Sequence, residues 1–181
     1  MRIKVEDTIA LVIDIQDRLV PVIHRKDDMI HNTKILIEGL KILQVQTLVT
    51  QQYTKGLGMT VDTIIESFGD GFCYDEKITF SCAEDEKILQ RLEESGKKTV
   101  IICGIEAHIC VLQTVIDLID KGYRVILVED CIGSRRESDR LVGLKRAIAE
   151  GAIPSTYESI LFELMRSAKS EVFKKISQLI K

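Results

Sequence analysis

The chain has no excess of basic charge, no long apolar run, no paired-cysteine motif and very little histidine. Lysine and arginine number 25 against 28 aspartate and glutamate, for a net charge of −3. No run of bases is available to neutralise a string of phosphates, so nucleic acid is not an expected partner. The opening stretch MRIKVEDTIALVID holds only a short apolar run that is flanked by charge and ends on an acid. That fits neither a membrane span nor a cleaved leader, and the expectation is a first strand in a cytoplasmic protein with no membrane partner. Cys73, Cys82, Cys103, Cys110 and Cys131 make an odd count without a CxxC pair, which disfavours disulfides and structural zinc. The only histidines are His24, His31 and His108, and none stands in a cluster with carboxylates at ligand spacing. No bound metal and no cofactor are expected.

What is present is the balance of an ordinary globular protein, 45% hydrophobic and 29% charged. A chain of 181 residues can bury roughly 70% of its unfolded surface without staples. We expect one domain over residues 1–181, since no repeat, low-complexity tract or linker divides it. Continuous aliphatic and β-branched runs at 8–13, 46–50, 99–104 and 124–130 fit strands covered on both faces. Between them, Met29, Thr33, Leu36, Leu40 and Leu43 recur at helical steps. Ser81 with Glu84, and Ser155 with Glu158, have capping-box spacing and predict two helix starts, while Gly122 and Gly151 predict two helix ends. Strand and helix alternate, so the expected class is α/β: a three-layer α/β/α architecture with a mostly parallel sheet. Active sites of such folds gather at the carboxyl ends of the strands.

Three chemically capable residues fall where that rim is expected. Asp14 closes the first strand, Cys110 follows the turn Gly104–Ile109 after the strand at 99–104, and Lys77 stands alone between. A cysteine in the first turn of an apolar helix over 111–119 is expected to be favoured as a thiolate by the helix N-terminus. A carboxylate could take its proton and an ammonium could stabilise the anions, while free N–H groups of the turn hold a carbonyl oxygen. Other readings of the same residues stay open: Cys110 as a small core residue, Asp14 as a turn acid, Lys77 as a solvated surface lysine. Gln16, Gln52 and Tyr53 follow strand ends and are candidates to line a pocket. Cys103 reads as core, and Cys82, in a first helical turn, as a second thiol of interest. Arg135 and Arg136 read as ion-pair partners before an anion site. Val172, Phe173, Ile176 and Ile180 form a terminal stripe that could meet its own sheet or another subunit.

The segments LVIDIQDRL (11–19), Lys77 with Phe80-Ser81, CGIEAHICV (103–111), VEDCIGSR (128–135) and GAIPSTYESILFEL (151–164) together resemble the isochorismatase-like cysteine hydrolases. The resemblance implies a Rossmann-like sheet of six strands and a working triad of Asp14, Lys77 and Cys110. It further implies a cis peptide between Ile105 and Glu106, with the N–H groups of Glu106 and Cys110 as oxyanion donors. Nicotinamidase-type members hold a metal through an Asp-x-His pair after the second strand. This chain has Gln51-Gln52-Tyr53-Thr54-Lys55-Gly56-Leu57-Gly58 there and is similar instead to the metal-free, isochorismatase domain-containing branch. Ala107 stands where many members carry threonine. Because members that cleave isochorismate itself lack the nucleophilic cysteine, Cys110 points to acyl chemistry. The expected activity is hydrolysis of a C–N bond in a small carbonyl substrate through a thioester, in a homo-oligomer. The alternatives are a non-catalytic oligomeric scaffold and a redox-responsive protein on the same fold.

Overall fold

In the computed structural model, which describes residues 2–181, the aliphatic runs become the middle of a six-stranded sheet. The elements are β1 (Thr8–Ile13), α1 (Lys26–Ile42), β2 (Thr47–Gln52), α2 (Thr54–Leu57), α3 (Asp62–Phe68), β3 (Asp75–Lys77) and α4 (Glu86–Glu94). After them come β4 (Thr99–Ile105), α5 (Leu112–Asp120), β5 (Arg124–Gly133), α6 (Glu137–Ala149), β6 (Ile153–Ser155), α7 (Tyr157–Met165) and α8 (Phe173–Leu179). The strand order is β3-β2-β1-β4-β5-β6, and every ladder between neighbours is parallel. The chain builds outward from β1 to β3, returns to the middle, and builds the other way from β4 to β6. That reversal opens a crevice between the carboxyl ends of β1 and β4, where ligands of such sheets bind.

Alternation along each strand divides the core in two. Ile9, Leu11 and Ile13 of β1, with Val100 and Ile102 of β4, pack against α4, α5 and α6 through residues such as Ile88, Val115 and Leu144. Ala10 and Val12, with Ile101 and Cys103, pack against α1, α3, α7 and α8 through Leu36, Ile64, Leu161 and Ile176. Helices thus cover both faces, which gives the three layers. The terminal stripe resolves in favour of its own domain, because Ile176 is fully buried and Val172, Phe173 and Ile180 pack on the α1 side. Among the described residues no helix is long and apolar enough to cross a membrane.

Two helix starts differ from the spacing. Ser81 caps only the short turn Cys82–Glu84, and α4 begins after Asp85, whose carboxylate accepts from the N–H groups of Lys87 and Ile88. Ser155 is held extended in register with Val128, so the cap of α7 passes to Thr156, whose hydroxyl accepts from Ser159 at 3.2 Å. The helix expected over 111–119 is α5, and a wide π-helical turn, Ala107–Val111, comes before it and holds Cys110.

Two glycines set how closely elements approach the crevice. A side chain at Gly104 would meet Ile13 O at 2.1 Å, so β1 and β4 close on one another only without one. A side chain at Gly143 of α6 would lie 2.9 Å from the backbone of Ala107 and His108, which places α6 directly behind the π-turn. Gly143→Ala is therefore expected to displace α6 or that turn and to cost about 1–3 kcal/mol in chemical denaturation. Gly71→Ala, where nothing lies within 4 Å, is the neutral control.

Candidate active site

Asp14 is the first residue beyond β1, and its φ of 53° lies in the left-handed region. Aspartate tolerates that region better than most residues, because its short polar side chain can hydrogen-bond locally. An extended residue 14 would point toward α1, as Ala10 and Val12 do. The left-handed turn brings the carboxylate to the opposite face, where Thr50, Cys82 and Cys110 lie. There it is fully buried.

Lys77 ends the edge strand β3, in register with Gln52 of β2. Although lysine is ordinarily solvated, this side chain is only 1% exposed. Its Nζ donates to Asp14 Oδ2 at 2.7 Å and Gln52 Oε1 at 2.8 Å, and to the carbonyls of Phe80 and Thr79 at 3.1 and 3.2 Å. The ammonium is thereby saturated. Burial works to discharge it, but the Asp14 carboxylate, with smaller contributions from Cys82 and Cys110, more than reverses this and holds its pKa above the ordinary lysine value. The surface-lysine reading is removed.

Cys110 sits in the π-turn after β4, 8% exposed. The Ile105–Glu106 peptide is cis. The Glu106 carbonyl accepts from Ile109 and Val111, and the N–H of Cys110 lies between those two donors. Burial first, then the negative charge of Asp14 and a hydrogen bond to it, push the thiol up to about 12, against the opposing pull of Lys77. The expectation of a low-pKa thiolate is corrected accordingly. A buried carboxylate beside the sulfur outweighs the partial charge of a nine-residue helix that begins only after the π-turn. Asp14 thus opposes ionisation of Cys110, while the Lys77 ammonium, itself held charged, favours it.

The remaining candidates divide. Gln16 does not line a pocket: it is fully buried, gives both amide protons to the carbonyls of Gln52 and Gly58, and accepts from Gln52 N. Its role is to clamp the loop after β2. Gln52 is an anchor for Lys77, its Nε2 held by Ile78 O at 2.7 Å. Tyr53 is half exposed and follows β2, as the exposed Ile78 follows β3, with exposed Phe80 two residues on. Cys82 is fully buried, unlike Cys110 at 8% exposed, which sets it out of reach of a substrate; burial pushes both thiols up to about 12. Cys103 is core, as read. Arg135 pairs with Glu106 at 3.0 Å, and His108 meets Ser134 at 3.0 Å as part of the turn. Sequence reasoning missed Thr50, whose hydroxyl donates to Asp14 Oδ1 at 2.7 Å. A threonine in a strand run carries no signal beyond its strand preference.

At the place of the absent metal pair, Gln51 is buried with its amide committed, donating to Thr60 Oγ1 at 2.9 Å and accepting from Thr54 Oγ1 at 3.0 Å. Among the described residues, no group of three or more His, Cys, Asp or Glu side chains could hold a metal ion. A recess of about 140 Å³ lined by His24, Met29, Asp130 and Arg140 lies away from the triad. Within it, His24 and Arg140 both meet Glu137, at 3.3 and 3.2 Å.

The buried pair makes two outcomes measurable. Lys77→Met leaves a buried carboxylate alone and is expected to lose about 3–5 kcal/mol in urea denaturation. The Lys77 contribution is complete below the ordinary lysine value of 10.5 and is lost only as pH rises through the higher folded value. Wild-type stability should therefore show no loss from this group between neutral and mildly alkaline pH. Asp14→Asn removes the charge that holds the thiol up while leaving Lys77 in place. Iodoacetamide labelling of Cys110 near neutral pH, read by mass spectrometry, should then accelerate about tenfold or more. Slower labelling than wild type would show that Asp14 does not set the thiol's state.

Comparison with known proteins bears on the family and the fold. The isochorismatase domain matches residues 8–159. Isochorismatase domain-containing protein 2 of Danio rerio is 33% identical over 180 residues, covering 99% of this chain and 89% of that protein. A solved structure of MAR1 ribonuclease from Caenorhabditis elegans superposes with a TM-score of 0.93 at 34% identity, covering 99% of this chain and 92% of its own. The YcaC gene product of Escherichia coli, described as an octameric hydrolase of unknown specificity, has a TM-score of 0.92. It is 23% identical, with 99% of this chain and 89% of that one covered. The chain belongs to the isochorismatase family.

Proposed function

We propose that this chain is a cytoplasmic, homo-oligomeric cysteine hydrolase that cleaves a C–N bond of a small carbonyl compound without a metal. One observation carries the reading: a buried carboxylate that pairs with a saturated lysine ammonium at 2.7 Å also acts on the thiol of Cys110, a residue that is 8% exposed. As Cys110 Sγ attacks the carbonyl carbon, its proton passes to Asp14. The oxygen gains charge facing the N–H groups of Glu106 and Cys110. The C–N bond then breaks, and Asp14 gives its proton to the departing nitrogen. Water attacks the thioester, losing a proton to Asp14, and the sulfur leaves and recovers that proton. The products are an amine and a carboxylic acid.

Lys77 takes no part in proton transfer. Its fixed charge stabilises the negative charge on whichever partner holds it. The exposed Tyr53, Ile78 and Phe80, which follow the strands carrying Gln52 and Lys77, are proposed as an apolar rim that suits a small substrate with an apolar flank. The name of the C. elegans structure raises phosphodiester cleavage as a second reading. Against it, Lys77 already meets four oxygens and Arg135 is paired to Glu106, so neither cation is free for a phosphate. Self-association is proposed through the exposed Leu141 and Val142 of α6. Light scattering that gives a monomer mass would end that part.

The test is a screen of small amides and carbamoyl compounds, with a short RNA as comparator and Cys110→Ala as blank. Amide turnover that falls at least about a thousandfold in Cys110→Ala is the expected result. Turnover that survives the substitution, or cleavage of RNA alone, would overturn the proposal.

A further inference from the structure

Resting on the cysteine-hydrolase reading, we propose that Thr50 is a positioning residue for the reaction, its hydroxyl fixing Asp14 Oδ1 so that the carboxylate stays turned toward Cys110. Thr50 is fully buried, and its Oγ1 donates to Asp14 Oδ1 at 2.7 Å while Lys77 holds Oδ2 at 2.7 Å. The carboxylate is thus pinned at both oxygens, each with one lone pair left over.

Thr50 is itself backed by a buried polar chain. Its Oγ1 lies 3.8 Å from Cys82 Sγ, close enough to accept from that thiol once its own proton is committed to Asp14. The N–H of Cys82 donates to Thr114 Oγ1 at 2.9 Å, and Thr114 is fully buried on α5, four residues beyond Cys110. The path Thr114–Cys82–Thr50–Asp14 joins the helix that follows the nucleophile to the base. Base and nucleophile are therefore tied both across the crevice and through the sheet. Cys82 acquires a role that does not require it to react.

The titratable groups around Asp14 are Lys77 from β3, Cys82 from the turn after β3, and Cys110 from the turn before α5. None of them changes when Thr50 is replaced. Without the Thr50 hydroxyl the carboxylate's negative charge bears more fully on the Cys110 thiol, which that charge already pushes up, so the thiol gives up its proton at higher pH.

The experiment compares wild type, Thr50→Val and Thr50→Ser by the pH dependence of Cys110 alkylation with iodoacetamide. It adds the pH profile of kcat/KM on a substrate from the screen. Thr50→Val should move the acid limb of both profiles upward by about one unit, and Thr50→Ser should restore it. A Thr50→Val protein that is folded and keeps both wild-type profiles overturns the assignment. If Thr50→Val does not fold, Cys82→Ala removes the backing thiol and leaves the hydroxyl. It should move the limb in the same direction by less, and an unmoved limb there overturns the assignment too. Alkylation needs no turnover, so the two readings fail separately. A shifted alkylation limb in a protein that hydrolyses nothing would sink the hydrolase alone. Turnover with unmoved limbs would sink the role of Thr50 alone.

Discussion

The ion pair between Asp14 and Lys77 is the constraint around which the site is built. Two opposite charges are carried almost fully out of water, at a desolvation cost of several kcal/mol per ion that only good geometry and further hydrogen bonds offset. The sheet supplies both. Parallel pairing sets Gln52 opposite Lys77, the turn after β3 offers the Thr79 and Phe80 carbonyls, and Thr50 meets the second carboxylate oxygen. Such a pair is weak evidence for stability. It makes sense as a fixed source of potential beside a sulfur.

The state of that sulfur follows from the same pair. A thiolate held permanently ionised needs an environment with net positive charge. Here burial first, and then the Asp14 charge against the pull of Lys77, pushes the thiol up to about 12. In the proposed reaction, a proton moves between sulfur and carboxylate when a carbonyl arrives. The ammonium keeps that exchange nearly neutral in charge. The architecture has a structural reason as well. The reversal of strand order places β1 and β4 side by side, Gly104 lets them close, and Gly143 lets α6 press the π-turn toward the crevice.

Much of this was legible in the residues. Strands buried on both faces left unbroken aliphatic runs, and their ends were placed to within two or three residues because periodicity reports burial directly. The resemblance of whole segments brought Asp14, Lys77 and Cys110 together, where spacing alone left each with an ordinary alternative. The electrical state of Cys110 was not legible. It depends on the distance to a carboxylate that a left-handed residue swings across the sheet, and no pattern in the chain encodes that swing. Gln16 was misread for a related reason: a glutamine at a strand end can face a pocket or clamp a loop, and only three-dimensional partners decide. The cap of α7 was missed by one position because ladder pairing with β5 holds Ser155 extended.

The central claim is that burial and the nearby Asp14 charge hold the Cys110 thiol up beside a Lys77 that is kept charged. The most direct measurement is the ultraviolet absorbance of the thiolate against pH, taken as the difference between wild type and Cys110→Ser. The account predicts no Cys110 thiolate signal at neutral pH, with ionisation emerging only toward about 12. A full thiolate signal at neutral pH with Asp14 intact would contradict it.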